Sequence, residues 1–250
     1  MEDSLRAFSM ILMCLAWLTL SACNEVSGSS QPSHQYTLQI ATENAETTAL
    51  IDPSAEVLVY RLKQMGIKVH SVTKEGSDRL IIAVSGEEPQ KKIKAAIGRQ
   101  AKLEIRLVDE TADSLDLEDG IVPVGSKILP MTDGSPPLAV KRLGGIDGKH
   151  IQNALPGFDR YSDESILSIK FDDKGGRKFA RMTTDNVGGR LAIVLDDEIV
   201  SAPYIREPIL GGEVQIAGGL TPEAANDLAI MLNSGALPAE LLIIEVREFQ

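Results

Sequence analysis

The stretch IKVHSVTKEGSDRLIIAV, residues 67–84, decides the fold. Ile67 to Thr73 and Arg79 to Val84 are short runs rich in β-branched residues, and Glu75-Gly76-Ser77-Asp78 between them is turn chemistry. The stretch therefore reads as a hairpin. Upstream, Asp52-Pro53 has the form of an N-cap followed by proline at the first helical position. Ala55, Leu58, Leu62 and Met65 then recur at helical spacing, and Gly66 ends the run. Further upstream, Tyr36, Leu38 and Ile40 alternate with polar residues, the pattern of a half-buried strand. Downstream, Glu88 to Ile97 predicts a short helix with Ile93, Ala96 and Ile97 on one face and Gly98 at its end. Lys102 to Val108 follows as a strand in which Leu103, Ile105 and Leu107 oppose Lys102, Glu104 and Arg106. The order over residues 35–110 is βαββαβ. Two helices on one face of a four-stranded antiparallel sheet satisfy that order, the ferredoxin-like arrangement.

Residues 111–144 change character, with Pro123, Pro130, Pro136 and Pro137 and little periodicity, and are expected to be an irregular connection. A second α+β unit is expected over 145–238. It contains a strand through Ile166 to Lys170, a helix from Gly175 to Asn186 burying Phe179 and Met182, and a hairpin around Asp196-Asp197-Glu198. A strand from Glu213 to Ala217 follows, then a helix opened by Thr221-Pro222 and closed by Gly235, with Ala225, Leu228, Ala229 and Leu232 on one face. Residues 239–250 read as a terminal strand returning to the edge of the first sheet, because an inserted unit must hand the chain back. The predicted class is α+β: a ferredoxin-like base carrying an inserted α+β subdomain.

Residues 1–22 stand apart from this fold. An apolar run of about 14 residues, Ala7 to Leu20, follows the single basic residue Arg6. It suits a signal peptide and is short of the roughly 20 residues that cross a bilayer as a helix. The run ends in Leu20-Ser21-Ala22-Cys23, which resembles the lipobox of bacterial lipoproteins. That resemblance makes Cys23 the lipidation site and the mature N-terminus, with residues 23–34 as a polar tether. Cys14 leaves with the leader and Cys23 is acylated, so no thiol remains for a disulfide, a zinc site or a nucleophile. The net charge of −11 argues against nucleic acid and anionic lipid headgroups as partners.

The residues supply no catalytic, cofactor or metal site. His34, His70 and His150 lack helical metal-ligand spacing. Asp172-Asp173 and Asp196-Asp197-Glu198 stand in turns without a calcium loop around them. Gly144 to Lys149 lacks the strand and helix that flank a P-loop, and Ser201 lacks the elbow of a serine hydrolase.

One long run is specific. RKFARMTTDNVGGRLAIVLDDEIVSAPYIREPILGGEVQIAGGLTPEAANDLAIMLNSGALPAEL, residues 177–241, resembles the head subdomain of SecD, the accessory subunit of the bacterial Sec export machine. RLAIVLD, SAPYIREPI, GGEVQIAG, EAANDLA and GALPAEL occur in the family's order, and AKLEIRLVDE at 101–110 is similar to the stretch that closes its base. The resemblance covers about 215 residues, base plus head. It implies a non-enzymatic protein whose partners are unfolded exported polypeptide, the Sec translocon or both. It also implies an apolar groove, which residues near the Phe179 helix and the stretch 202–210 would line; ordinary core and turn roles are the other reading of the same residues, and no binding residue is singled out. In SecD one membrane helix precedes this domain and five follow. Here the leader stands in place of the first and the sequence ends at Gln250, so proton coupling is not expected of this chain. The alternative is a cell-envelope scaffold that kept the fold without the export role. Asn24 after Cys23 leaves the inner and outer membranes both open. An envelope hydrolase would need a site these residues do not supply.

Overall fold

The computed structural model describes residues 31–41, 47–113, 117, 119–160, 162–217 and 220–249. The predicted leader, Cys23 and most of the predicted tether lie outside these residues. In chain order the first elements are β1 (His34–Ile40), α1 (Thr47–Gln64), β2 (Lys68–Glu75), β3 (Arg79–Ser85), α2 (Pro89–Ile97) and β4 (Leu103–Leu107). Then come β5 (Ser126–Leu129), β6 (Leu138–Lys141), β7 (Ile146–Asp147), β8 (Ile151–Phe158), β9 (Ser165–Phe171) and α3 (Asp173–Asp185). The chain closes with β10 (Leu191–Leu195), β11 (Glu198–Ser201), β12 (Glu213–Ala217), α4 (Pro222–Asn233) and β13 (Leu241–Glu248).

The hairpin over residues 67–84 forms as β2 and β3, in an antiparallel sheet of order β13-β1-β3-β2. Tyr36, Leu38, Ile40, Leu80, Ile82 and Val84 point into one core with Leu58 and Leu62 of α1 and Ile93 and Ala96 of α2. Gly66 ends α1 as expected: at φ +76° it lets the Ile67 amide donate to Leu62 O (2.9 Å), a closure glycine enters at little cost. The start of α1 differs from expectation. The helix begins at Thr47, and Pro53 lies inside it. A proline there leaves the Ala49 carbonyl without its helical donor. The extra turn is held by Ile51, which is buried, and by Leu50 packed on the same core. Asp52 is therefore no cap, and it pairs instead with Lys74 of β2 (2.8 Å).

The fourth strand of the base is β13, antiparallel to β1. The strand expected in that place, 102–108, belongs elsewhere. β4 pairs with β10, Leu103 opposite Leu195 and Leu107 opposite Leu191, in a sheet of order β11-β10-β4-β7. Alternation along 102–108 correctly marks a strand, but a period of two says nothing about the partner. The insertion thus leaves the base directly after α2.

Within the inserted part, β4 and β10 face a second sheet of order β12-β9-β8, and α3 and α4 complete the core. α3 is capped by Asp172, whose carboxylate accepts from Gly175 N (2.6 Å), and α4 by Thr221, which accepts from Ala224 N (3.2 Å). β10 and β11 meet at Asp196-Asp197, both at positive φ (52° and 64°), the two-residue hairpin turn whose twist suits antiparallel strands. Residues 111–144 are not merely irregular: β5 and β6 form a hairpin over the other face of β10. There Leu129 and Val140 pack on Ala192, Val194 and Ile199. Four-residue strands among prolines are too short to show a period.

Asp109 anchors that hairpin by accepting from Ser126 Oγ (2.6 Å) and Thr111 Oγ1 (2.7 Å). Those bonds, Ser126's first, hold its carboxyl below the ordinary value near 3.8. A depressed carboxyl contributes stability above its unfolded value and loses it as pH falls through the folded one. Asp109→Ala is therefore expected to lower the melting temperature near neutrality. The gap to wild type should close only on acidification below 3.8. Thermal unfolding followed across pH checks this; a gap that closes already at about pH 6 would assign the effect to another group.

Candidate functional site

Two chain crossings join base to insertion, residues 98–102 going out and 234–240 coming back. Arg61 of α1 stands between them, fully buried. It donates to Ala96 O (2.7 Å), Arg99 O (2.8 Å) and Gln100 O (2.9 Å) at the end of α2. It also donates to Ser234 Oγ (2.9 Å) and Gly235 O (3.0 Å) at the end of α4. The acceptors are neutral groups, most of them carbonyls at helix C-termini, where the helix dipole is negative. Burial lowers the guanidinium to about 10, so it is still a cation at neutral pH. The next residues continue the seam. Asn233 accepts from Ala154 N (2.7 Å) and donates to Ala154 O (2.8 Å), which ties α4 to the edge strand β8. Leu237 N donates to Gln100 O (2.8 Å), and the Leu237 side chain enters the base core.

Beside this seam lies a groove of about 910 Å³. One wall is α2 with Ala95, Gly98 and Arg99, and the opposite wall is α4 with Ala224, Asp227, Leu228 and Met231. Met131 from the loop after β5, Val200 and Ala202 from and after β11, and Ile216 and Leu220 around the end of β12 complete it. Apolar side chains dominate the lining, with Lys94, Arg99, Asp133 and Asp227 as its charges. Burial raises the Asp227 carboxyl, against the opposing pull of Lys91 and Lys92. Such a groove can hold apolar side chains of an extended chain while its charged groups meet polar ones.

The residues expected to line a groove divide. Ala202 does so. Phe179 is fully buried in the core, as its place on the helix face predicts, its ring 5.4 Å from that of Phe171. Leu210 is 75% exposed and outside the groove. Sequence reasoning missed the α4 wall. Its signal was Ala224 and Met231, which widen the apolar face of α4 beyond Ala225, Leu228, Ala229 and Leu232; Met231 itself belongs to the core cluster.

The three histidines sit apart, on β1, β2 and ahead of β8. His70 meets Ser85 Oγ (2.7 Å) and His150 meets Asp172 (3.2 Å). Asp196 accepts from Lys102 N (2.8 Å) and Asp197 pairs with Lys127 (2.7 Å), so both turn acids have structural partners. Among the described residues no group of three or more His, Cys, Asp or Glu is placed to hold a metal ion. No described helix is long and apolar enough to cross a membrane.

Sequence profiles of two subdomains match this chain. The N-terminal P1 domain of protein translocase subunit SecDF matches residues 51–110, and the SecDF P1 head subdomain matches residues 126–239. The chain carries the P1 domain of the SecD family. The SecD subunit of Magnetococcus marinus is 40% identical over 204 residues, covering 79% of this chain and 39% of the relative. That of Acetobacter pasteurianus is 36% identical over 228 residues, covering 90% and 43%. The chain thus spans about two fifths of the length of these SecD relatives. Among solved structures, SecDF in its super-membrane-facing form aligns with a TM-score of 0.70 at 28% identity, covering 87% of this chain and 30% of that one. A structure of SecDF described as a membrane component that enhances protein export aligns at 0.68 and 28% identity, covering 86% of this chain and all of that one. In SecD terms the β13-β1-β3-β2 sheet with α1 and α2 is the base and the insertion is the head. The N-terminal P1 profile ends at residue 110, after β4, so its boundary falls inside the head sheet rather than at the seam.

Proposed function

We propose that this SecD P1 domain is held at the cell envelope by lipid on Cys23, faces the periplasm, and assists protein export by contacting translocating polypeptide or the Sec translocon. The observation that supports the reading is the groove between α2 and α4, apolar over most of its lining and open at the seam of base and head. A solved SecDF structure of the same architecture is described as that of a membrane component that enhances protein export, which supports the reading. The lipid supports position: a lipoprotein's two or three acyl chains hold firmly where one alone binds marginally. The test is a photo-crosslinking side chain at Ala224, an exposed residue of the groove wall, in cells carrying a stalled export intermediate. A crosslink to the stalled chain is expected at Ala224 and not at Leu210. Equal yields at the two positions overturn the reading.

A further inference from the structure

The edges of the sheets in this molecule are treated unequally. β2 presents charged Lys68 and Lys74 along its exposed edge. β8 carries Pro156 and has both Ala154 backbone groups occupied by Asn233. β11 is covered by residues 130–132, with Ile199 N donating to Pro130 O (2.8 Å) and Thr132 N to Ile199 O (3.0 Å). Among the described residues, nothing covers the first half of β13 in this way. It reads Leu241-Leu242-Ile243-Ile244, and Leu242 and Ile244 are 48% and 45% exposed. An open apolar edge of this kind is a template for another extended chain.

Its hydrogen-bonding direction follows from the register. Ala41 N donates to Glu240 O (2.9 Å), and Gln39 stands opposite Leu242. Antiparallel alternation then turns the backbone groups of Glu240 and Leu242 toward β1 and those of Leu241 and Ile243 away from it. A groove of about 550 Å³ borders that outward row, between residues 240–243 and the end of α2. Ile97 gives it an apolar wall, and Lys94, Arg99 and Lys102 line it with positive charge. Lys94 and Arg99 make no ion pair with another described residue; of the acids lining the groove, Asp196 and Asp197 are bonded to Lys102 N and Lys127, and Glu240 at the start of the edge adds one further carboxylate. The site thus offers unpaired backbone, an apolar wall and spare cations on an otherwise acidic protein.

We infer that an extended polypeptide segment bearing acidic side chains adds to β13 as a fifth strand of the base, its carboxylates reaching Lys94 and Arg99. Main-chain bonds to Leu241 and Ile243 supply affinity, and the cations supply preference. The inference rests on the reading that the clients are unfolded chains, but its strand edge, residues 240–243, lies outside the groove walled by α4, with Lys94 and Arg99 standing between the two.

The test uses the full chain and a fluorescent heptapeptide alternating valine with glutamate, followed by anisotropy. Saturable binding is expected, at least tenfold tighter than for the same peptide with lysine in place of glutamate. Methylating alternate backbone nitrogens of the peptide should abolish it, a result independent of any change to the protein. Ile243→Pro removes an outward N–H without touching a bond to β1, and should weaken binding at least tenfold while leaving the Ala224 crosslink intact. No binding, or binding indifferent to N-methylation, overturns the strand addition. Loss of the Ala224 crosslink with peptide binding retained overturns the groove reading instead.

Discussion

Arg61→Met is expected to destabilise the protein by about 3–5 kcal/mol, the range found when one partner of a buried charged contact is removed. Five acceptors lose their donor together; four of them are carbonyls, that of Ala96 in the last turn of α2 and those of Arg99, Gln100 and Gly235 at the two crossings between base and head. Methionine replaces much of the volume and none of the bonds, so the buried Ala96 carbonyl is left without a partner and the part-buried ones lose theirs. For a domain of this size the melting temperature should fall by roughly 10 °C or more. Arg61→Lys is the informative control. Lysine restores the charge, but a compact ammonium cannot reproduce the planar fork that spans acceptors on two helices. Most of the loss should persist in Arg61→Lys when both variants are followed by thermal unfolding. A lysine variant as stable as wild type would show that charge, not geometry, holds the seam. Limited proteolysis gives a local readout, with cleavage of both variants expected to rise within 98–102 and 234–240.

Phe179→Ala should cost a comparable amount, about 3–5 kcal/mol, because a large ring leaves a cavity that a well-packed core fills only in part. The side chain is fully buried and packs against Phe171 between α3 and the head sheets. Leu210→Ala, by contrast, should change stability by no more than about 0.5 kcal/mol, since that side chain is 75% exposed. Urea unfolding of the two variants separates core from surface. The same pair separates core from groove: Phe179→Ala, compared under conditions where it remains folded, should crosslink to a stalled chain from Ala224 as wild type does. A selective loss of crosslinking in a folded Phe179→Ala protein would return that ring to the binding surface.

What could be read in the sequence was what neighbours along the chain decide. The cap at Thr221, the glycine stop at Gly66 and the Asp196-Asp197 turn are each fixed by a few adjacent residues, whereas Asp172 reads as a turn residue and proves to be the cap of a helix that starts at Asp173. What could not be read was decided by residues far apart. The alternation of 102–108 suits two sheets equally, and only contact with β10 chooses between them. Asp52-Pro53 carries a strong start signal, yet burial of Ile51 extends α1 past it. β5 and β6 are short, and their role appears only when Leu129 and Val140 meet the second face of β10. The groove is harder still, since its walls come from α2, the loop after β5, β11, the end of β12 and α4. Arg61 had no local signal at all. A lone arginine on a helix reads as solvated until two helix ends converge on it. Lipidation of Cys23 rests on the tetrad Leu20 to Cys23, which lies outside the described residues.

The groove between α2 and α4 is proposed to meet unfolded exported chains. The direct measurement is crosslinking from Ala224 in cells, with Leu210 as the exposed comparison and a stalled secretory chain as the target. A product joining this protein to the stalled chain is predicted at Ala224, together with its disappearance when the chain is released from the translocon. Crosslinks of equal yield from Leu210, or none from Ala224 while the stalled chain is present, would contradict it.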